Sequence, residues 1–432
     1  MSSLNHCIKF ELDVKDENIV FKDYFYKSIK LQKHKIYEAE LIQPACPFCG
    51  SLDLLHNGHL ITNIHYPTAN ASLPVIIRLA KQRVKCRDCD RWSMAQSELV
   101  NKYCSISNAS KLKVLSALTE DRSMTSIARE NNVSINTVQR GNCSHRFIDS
   151  YEYLPAHLAF DEFKGVDRQL HFICLDSDNH QVVQILRTRY KKTLLKYFGR
   201  FSPQARANVK TVTMDLNFYY QDIVRACFPN AQIGIDRFHM IQMLTRSFNS
   251  LRVQVMKTFD KRSRQYQLLK SPWKLYLKKF DELEKVHPRY NWHYKDCLTQ
   301  AQVVTEGINT STTLENSYNL MQSFIQAVET GDTHELKSLI NCQDQIGTLM
   351  HKTLLTFKHN LTAVLNGAEL PYSNGCLEGF NRKIKQIERT AFGYSNFTNL
   401  LTRIRLEENL YKEKEPNCSD PHFSDTLLIL CD

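Results

Sequence analysis

The sequence predicts a multidomain α/β protein, and three observations lead to that fold class. Two CxxC pairs lie close to the N terminus, at 46–49 and 86–89. A helical stretch follows, and from residue 156 the pattern changes to short apolar segments typical of strands. Beyond residue 245 the pattern is helical again. We therefore expect small N-terminal modules, a core that contains a sheet, and a large helical region.

Length and composition limit the class of protein. The chain has 432 residues, 42% hydrophobic and 23% charged, which is an ordinary globular composition with room for several domains. No apolar run approaches the roughly 18 residues of a membrane span, and the first twenty residues lack the form of a signal peptide. Ten of the 14 cysteines are scattered, as in a reducing compartment. We expect a soluble, cytoplasmic, nucleoid-associated protein, since a net charge of +11 is compatible with nucleic acid.

The paired cysteines predict a zinc ribbon at 41–95, after an N-terminal arm at 1–40. A CxxC on a tight turn directs two thiolates to one point, and two such turns close a tetrahedral site for one structural Zn²⁺. The predicted ligands are Cys46, Cys49, Cys86 and Cys89. The 36 residues between the pairs (50–85) exceed the usual spacing, so the intervening strands must be long. The alternatives are a redox pair or two unrelated pairs, and His56 and His59 are possible alternate ligands.

A helix-turn-helix is predicted at 105–150. Thr125–Glu130 forms a short first helix, and Asn131 and Asn132 suit the turn because short polar side chains tolerate left-handed geometry. Ser134 is expected to cap the second helix, with Ile135 and Val138 on its buried face. Four residues then point outward, as DNA-reading residues do in a major groove: Asn136, Thr137, Gln139 and Arg140. The alternative is a purely structural helical hairpin.

The strand pattern after residue 156 predicts the core. HLAFDEFKG, QLHFICLDSD and QVVQILRTR read as three successive strands, and VKTVTMDLNF and AQIGIDRFHM as a fourth and fifth with a helix between them. That order is the order of an RNase H-like fold. We assign its first part to 151–245 and its last part to 371–413. An all-α insertion occupies 246–370, and the tail at 414–432 stays unassigned.

Three acids stand where the predicted elements would deliver them. Asp161 follows an apolar run in the first strand, Asp215 ends the fourth, and Glu378 lies at the start of a basic helix. Converging carboxylates repel each other unless cations neutralise them, and hard oxygen ligands favour two Mg²⁺ or Mn²⁺ ions. Asp236 competes with Asp215 as the middle acid. An ordinary i,i+4 pair with Arg382 is the alternative role of Glu378.

Two neighbours of these acids also have expected roles. Glu162 follows Asp161 in the strand and should face the opposite side, as a supporting or solvent-facing residue. His239 lies three residues after Asp236, and the pair is expected to orient a phosphate or a catalytic group. Basic stretches at 78–91 and 187–200 carry six cations each and are expected to contact phosphate.

The chain resembles bacterial insertion-sequence transposases of the DDE class, specifically the ISL-three family. The matching stretches are CPFCGS, VKCRDC, FDEFKG, VTMDLNFYY, FPNAQIGIDRFHM and SNGCLEGFNRKIKQIERTAFGYSNF, together with the helix-turn-helix. The resemblance implies a catalytic core interrupted by a helical insertion. It also implies that Asp161, Asp215 and Glu378 hold the catalytic metals. Related Mutator-like and hAT transposases carry a C/DxxH signature, which Asp236 and His239 match.

The function implied is DNA transposition. The ribbon and the helix-turn-helix would bind double-stranded DNA at the terminal inverted repeats, and the core would cut at the element's end and join it to target DNA. Three cations after Glu378 would contact DNA phosphates: Arg382, Lys383 and Lys385. Pairing two ends implies a homodimer or larger assembly. The rival functions are a DNA-binding regulator without catalysis and a metal-dependent nuclease that does not join strands.

Overall fold

The computed structural model describes residues 2–29, 31–68, 72–144, 150–342 and 345–408. The chain divides into two compact units, one formed by residues 1–148 with 384–432 and the other by residues 149–383. The tail predicted as 414–432 lies outside the described residues, and so do residues 145–149 near the end of the predicted helix-turn-helix.

A mixed sheet forms the N-terminal part of the first unit. Its elements are α1 (Ser2–Leu12), β1 (Ile19–Ile29), β2 (Gln32–Leu41), β3 (Leu54–Tyr66), β4 (Val75–Cys86) and β5 (Trp92–Met94). The strand order is β1-β2-β4-β3 with β5 beside β4, and only β2 and β4 run parallel. Alternate strand residues such as Ile19, Phe21 and Ile77 are buried, and α1 packs on them through Ile8 and Leu12. The sheet therefore joins the predicted arm and ribbon in one hydrophobic core.

Three helices follow the sheet: α2 (Asn108–Ala117), α3 (Met124–Glu130) and α4 (Ile135–Ser144). The turn between α3 and α4 contains Asn132 in the left-handed region, at φ 52°. Ser134 caps α4, as predicted, since its Oγ accepts the N–H of Thr137 at 3.1 Å. Val138 is fully buried, but the prediction that Ile135 is buried was wrong because it occupies the first turn of α4 and is 47% exposed.

The sheet of the second unit contains the five predicted strands. They are β6 (His157–Lys164), β7 (Leu170–Asp176), β8 (Val182–Leu186), β9 (Thr211–Met214) and β10 (Gln232–Ile235). The order is β10-β9-β6-β7-β8. The first three strands are antiparallel, whereas β9 runs parallel to β6 and β10 runs parallel to β9. The carboxyl ends of β6, β9 and β10 therefore meet at one edge of the sheet.

Helices cover this sheet and extend beyond it. Those between the strands and directly after them are α5 (Lys191–Phe198), α6 (Pro203–Asn208), α7 (Phe218–Cys227) and α8 (Arg237–Thr258). Phe160 and Phe172 of the sheet contact Phe198 and Tyr220 of the helices in an aromatic cluster. This buried cluster fixes α5 and α7 on β6, the strand that carries Asp161, and on its neighbour β7.

The region predicted as an all-α insertion is mostly helical. It contains α9 (Arg264–Lys270), β11 (Arg289–Asn291), β12 (Asp296–Leu298), α10 (Gln300–Ile308), α11 (Thr312–Thr330), α12 (Thr333–Ile340), α13 (Thr348–His359) and α14 (Leu361–Glu369). The all-α prediction was wrong at β11 and β12, which form a hairpin of three-residue strands too short to show an alternating pattern. Helix α14 lies against β10, since a Cβ on Gly367 would stand 2.0 Å from the carbonyl oxygen of Ile235.

Two helices end the described chain: α15 (Gly375–Thr390) and α16 (Phe397–Glu407). The boundary between the two units falls within α15. We expected α16 in the last part of the core, yet its Leu406 packs with Val114, Ile127 and Val138 of α2–α4. Within the described ranges, no helix combines the length and the apolar character needed to cross a bilayer.

Candidate active site and metal centre

The four cysteines of the two CxxC pairs come together in the first unit. Their Sγ atoms all lie within 4.8 Å of one another, with Cys46 3.6 Å from Cys89 and Cys49 3.5 Å from Cys86. Four sulfur atoms at about 2.3 Å from one tetrahedral ion would be about 3.8 Å apart, so the cluster could hold a metal. The alternate ligand His59 instead contacts Glu40, with its Nε2 2.8 Å from Oε1.

The turn at the first CxxC pair supplies N–H groups that favour the thiolate form of Cys46. The N–H of Cys46 donates to the carbonyl of Ser51, and the N–H of Gly50 donates back to Cys46. Burial raises the pKa of the Cys46 thiol, but hydrogen bonds from the N–H groups of Phe48 and Cys49 and from the Cys49 and Cys89 thiols together lower that pKa to about 7. Thiolate is the form that binds a metal.

Asp161 and Asp215 lie side by side at the carboxyl edge of the second sheet. The parallel strands β6 and β9 pair Phe160 with Met214. The next residue is Asp161 in β6 and Asp215 directly after β9. Burial raises the pKa of Asp161 to about 6, and the negative charge of Asp215 contributes to the rise. The site therefore holds two carboxylates that repel each other.

Asp236 and His239 lie at the same edge, at the start of α8. Asp236 is buried and caps that helix: one oxygen accepts the N–H of His239 at 3.1 Å and the other accepts the N–H of Asn374 at 2.8 Å. The Nδ1 of His239 lies 3.2 Å from the Oδ2 of Asp215, and this contact raises the pKa of His239. The Asp215 side chain is 43% exposed. Asp236 thus has both oxygens occupied by backbone donors, whereas Asp215 is open to solvent.

Helix α15 is attached to this edge by two asparagines that the sequence did not indicate. The amide of Asn374 donates to the carbonyl of Phe160 at 3.1 Å, and the amide of Asn381 donates to Oδ2 of Asp161 at 2.8 Å. Glu378 is four residues after Asn374 and three before Asn381, so all three lie on one face of the helix. An asparagine at either position is a common polar residue, and only its distant partner shows its role.

Glu378 itself does not contact Asp161 or Asp215 in any described interaction. Its side chain is 55% exposed and pairs with Arg382, with Oε1 2.7 Å from Nη2. Among the described residues, the cysteine cluster alone gathers three or more potential metal ligands within 4.8 Å. The structure therefore brings Asp161, Asp215, Asp236 and His239 together and carries Glu378 on the adjoining helix face. Lys383 and Lys385 are exposed on the same helix.

Glu162 is largely buried and accepts more hydrogen bonds than a solvent-facing residue would. Its carboxylate accepts two bonds from Arg189 at 2.7 and 2.8 Å and one from each hydroxyl of Tyr219 and Tyr220, at 2.9 and 2.8 Å. The side chain is 16% exposed. These contacts tie strand β6 to the start of α7, immediately after Asp215, and place Glu162 as a positioning residue.

The two basic stretches are partly neutralised. In the stretch at 187–200, Arg189 pairs with Glu162 and Lys191 pairs with Asp222 at 2.7 Å. In the stretch at 78–91, three of six cations pair with acids: Arg78 with Glu38, Lys85 with Asp90 and Arg87 with Asp53. Phosphate contact by these stretches therefore rests on fewer cations than the sequence count suggested.

Comparison with known proteins identifies the family. A model of the ISL3 group of DDE transposases, described as a transposase, matches residues 158–404. Over 345 residues the chain is 22% identical to a transposase for insertion sequence element IS1001 from Bordetella parapertussis, covering 77% of this chain and 80% of that protein.

A second relative shares a shorter stretch. A protein of Lactococcus lactis subsp. lactis named as an ATP-dependent protease is 31% identical over 109 residues, or 25% of this chain. The match spans 35% of that protein's length, so its name describes that protein alone. The family match covers more than half of the present chain and includes the strand edge with Asp161 and Asp215. The chain belongs to the ISL3 family of transposases.

Proposed function

We propose that the protein is a DNA transposase that binds the terminal inverted repeats of an insertion sequence and catalyses phosphodiester cleavage and strand transfer. The observation that carries this proposal is the juxtaposition of Asp161 and Asp215 at the ends of parallel neighbours β6 and β9. The strand order also supports an RNase H-like core, because β6, β7 and β8 are antiparallel neighbours and β9 and β10 run parallel on the other side of β6.

The donor set suits hard divalent cations. Asp161 and Asp215 offer carboxylate oxygens at one edge, and the raised pKa of Asp161 reflects burial and a charge repulsion that a cation would relieve. Asp161, Asp215 and Glu378 would hold two Mg²⁺ or Mn²⁺ ions. When bound, such ions would supply Lewis-acid activation of the attacking oxygen and charge stabilisation of the leaving oxygen.

The remaining residues of the edge would orient this set. Asp236 fixes the first turn of α8 and the start of α15 through its two backbone donors, so we assign it support rather than metal binding. His239 would hold the carboxylate of Asp215 in place. Asn381 would do the same for Asp161, and Arg382, Lys383 and Lys385 would contact DNA phosphates beyond Glu378.

The first unit would supply DNA recognition. Helices α3 and α4 form the helix-turn-helix, and its outward residues are Asn136, Thr137, Gln139 and Arg140, of which Thr137 is half-buried beside Ser134. The cysteine cluster would hold one structural Zn²⁺ in the neighbouring sheet. Because an element has two ends, we expect at least a dimer on DNA.

Cleavage of labelled element-end DNA in Mg²⁺ or Mn²⁺ tests this proposal. We expect Asp161→Asn, Asp215→Asn and Glu378→Gln each to abolish cleavage while DNA binding persists, and Asp236→Asn to leave residual activity. Asp222→Asn is the matched control, because it removes an acid that is paired with Lys191 in the same unit.

Each alternative has its own outcome in the same experiment. Cleavage that persists in Asp215→Asn and is lost in Asp236→Asn would make Asp236 the middle ligand. A wild-type protein that binds its end DNA without cutting would be a regulator. Cleavage without joining to a target duplex would make it a nuclease.

A further inference from the structure

The hairpin of β1 and β2 extends beyond the core of its sheet. Ile19 and Phe21 of β1 are buried, but residues 22–28 of the same strand are all exposed. Strand β1 is also an edge of the sheet, since β2 is its partner in the described chain. The outer part of the hairpin therefore presents its side chains to a partner that the sheet itself does not provide.

The exposed surface combines tyrosine rings with lysines. Tyr24 and Tyr26 are 42% and 50% exposed on one face of β1. The Nζ of Lys33 lies 4.4 Å from the ring centre of Tyr26, and the Nζ of Lys35 lies 4.9 Å from that of Tyr24. The described residues 21–29 and 31–38 contain four lysines and one histidine against two acids. A surface of this composition is complementary to a polyanion.

Several charges near the hairpin are already paired. The pairs are Glu11 with Lys35, Glu38 with Arg78 and Glu40 with Lys22. Lys27 and Lys33 have no acidic partner among the described residues, and Asp23 is the one acid within 22–36. Two lysines therefore remain available for phosphate at the outer end of the hairpin.

The hairpin lies beside the helix-turn-helix within the first unit. The amide of Gln32, at the start of β2, donates to Oδ1 of Asn132 in the turn between α3 and α4 at 3.4 Å. A groove of about 680 Å³ separates the two elements and is lined by Gln32, His34, Arg129 and Asn132, among others. The start of β2 thus contacts the turn directly before α4, the helix that carries the outward side chains.

We propose that the β1–β2 hairpin is a second DNA-contacting element, which holds the phosphate backbone of the duplex whose bases α4 reads. Lys27 and Lys33 contact phosphates from opposite faces of the hairpin end, and Tyr24 and Tyr26 form the apolar surface beside Lys33. This inference rests on the proposed function, since it needs DNA at α4. Backbone contacts of this kind fix the position of a protein on DNA and add affinity for any sequence.

The salt dependence of DNA binding tests the hairpin. Each lysine–phosphate contact adds about 0.9 to the slope of log affinity against log salt, so Lys27→Ala with Lys33→Ala should lower that slope by about 1.8. The affinity ratio of wild type to variant should then shrink about twelvefold between roughly 50 and 200 mM salt. We expect the loss to be equal on element-end DNA and on unrelated duplex.

Two control variants separate this effect from others. Lys102→Ala removes another lysine that lies over an exposed tyrosine of the same unit, at 5.0 Å from the ring of Tyr103, and should leave the slope unchanged. Arg140→Ala should reduce the preference for end DNA over unrelated DNA. Circular dichroism and zinc content should match the wild type in all variants.

The outcomes distinguish the inference from the proposed function. If the wild type prefers its end DNA and the double variant keeps the full salt slope, the hairpin inference is wrong and the transposase proposal stands. A change in oligomeric state of the double variant at constant slope would identify the hairpin as a contact between copies of the chain. A wild type that binds no DNA overturns both.

Discussion

Replacing Arg403 with alanine should loosen the helix-turn-helix from a distance of more than 250 residues along the chain. The side chains of Arg403 and Glu407 are only 3% and 4% exposed, and Nε lies 2.6 Å from Oε1. The same guanidinium donates to the carbonyl oxygens of Glu120 and Arg122, at 2.7 Å each, in the segment between α2 and α3. The variant therefore removes a buried cation and the donor that joins α16 to that segment.

The size of the effect follows from burial. Removing one partner of a buried ion pair costs about 3–5 kcal/mol. Because about 1.4 kcal/mol corresponds to a factor of ten, the local opening equilibrium of the helices should rise by about two to three and a half orders of magnitude. An exposed ion pair in the same place would change it by a factor of about five at most.

Hydrogen exchange followed by mass spectrometry measures this change directly, since it reports opening segment by segment. We expect faster exchange in peptides from α2, α3, α4 and α16 of Arg403→Ala, and unchanged exchange in β6 and β7. Arg262→Ala, at an exposed arginine, is the matched control. The double variant Arg403→Met with Glu407→Leu should regain most protection, since apolar residues of similar volume replace the pair.

Wild-type exchange rates in α2–α4 of Arg403→Ala would refute this reasoning. They would mean that the apolar contacts of Leu406 with the three helices suffice to hold α16. Loss of protection throughout the chain would also contradict it, since a local clamp affects its own unit first.

Three further changes test the two units. We expect the wild type to bind one zinc ion per chain and Cys46→Ser to bind almost none, as measured by atomic emission, because the change removes one of four clustered ligands. Gly367→Ala should destabilise the second unit by about 1–3 kcal/mol or more in urea unfolding because its Cβ would meet the backbone of β10, whereas Gly379→Ala, with no atom within 4 Å, should not. Burial lowers the pKa of His171, so the unfolded chain binds the proton more readily than the folded chain does. Stability should therefore fall as the pH drops below about 6.5. The variant His171→Gln should show a smaller difference in thermal stability between pH 7 and pH 5.5.

Local patterns were sufficient to predict the elements that carry the candidate site. The apolar run before Asp161 and the run before Asp215 both mark buried strands, and both strands are present. The two CxxC pairs predicted the cysteine cluster, because each tight turn directs two thiols to one side and the two turns can share one metal ion. These predictions needed only the period of the side chains and the geometry of a turn.

The remaining features depend on partners far away in sequence. Glu162 lies beside a predicted catalytic acid, but its donors come from residues 189, 219 and 220. In the sequence, Asn381 is an ordinary polar residue of a helix, and its role follows only from its hydrogen bond to Asp161. Helix α16 is amphipathic, which predicts burial without indicating the surface on which it packs. Sequence patterns therefore predict the helices and strands, whereas the contacts between them depend on residues far apart in the chain.

Glu378 combines a fixed backbone position with an exposed side chain. Asn374 and Asn381 fasten its helix face to the strand edge, so the backbone of α15 is held on either side of the glutamate. Its pair with Arg382 is exposed, and such pairs contribute about 0.3–0.5 kcal/mol. Turning Glu378 toward Asp161 therefore costs little in lost contacts. The main cost is repulsion from Asp161 and Asp215, and the pKa of Asp161 is already raised by burial and by the charge of Asp215. A divalent cation would remove that repulsion, so we expect Glu378, the proposed third ligand, to turn toward the two aspartates when a cation binds.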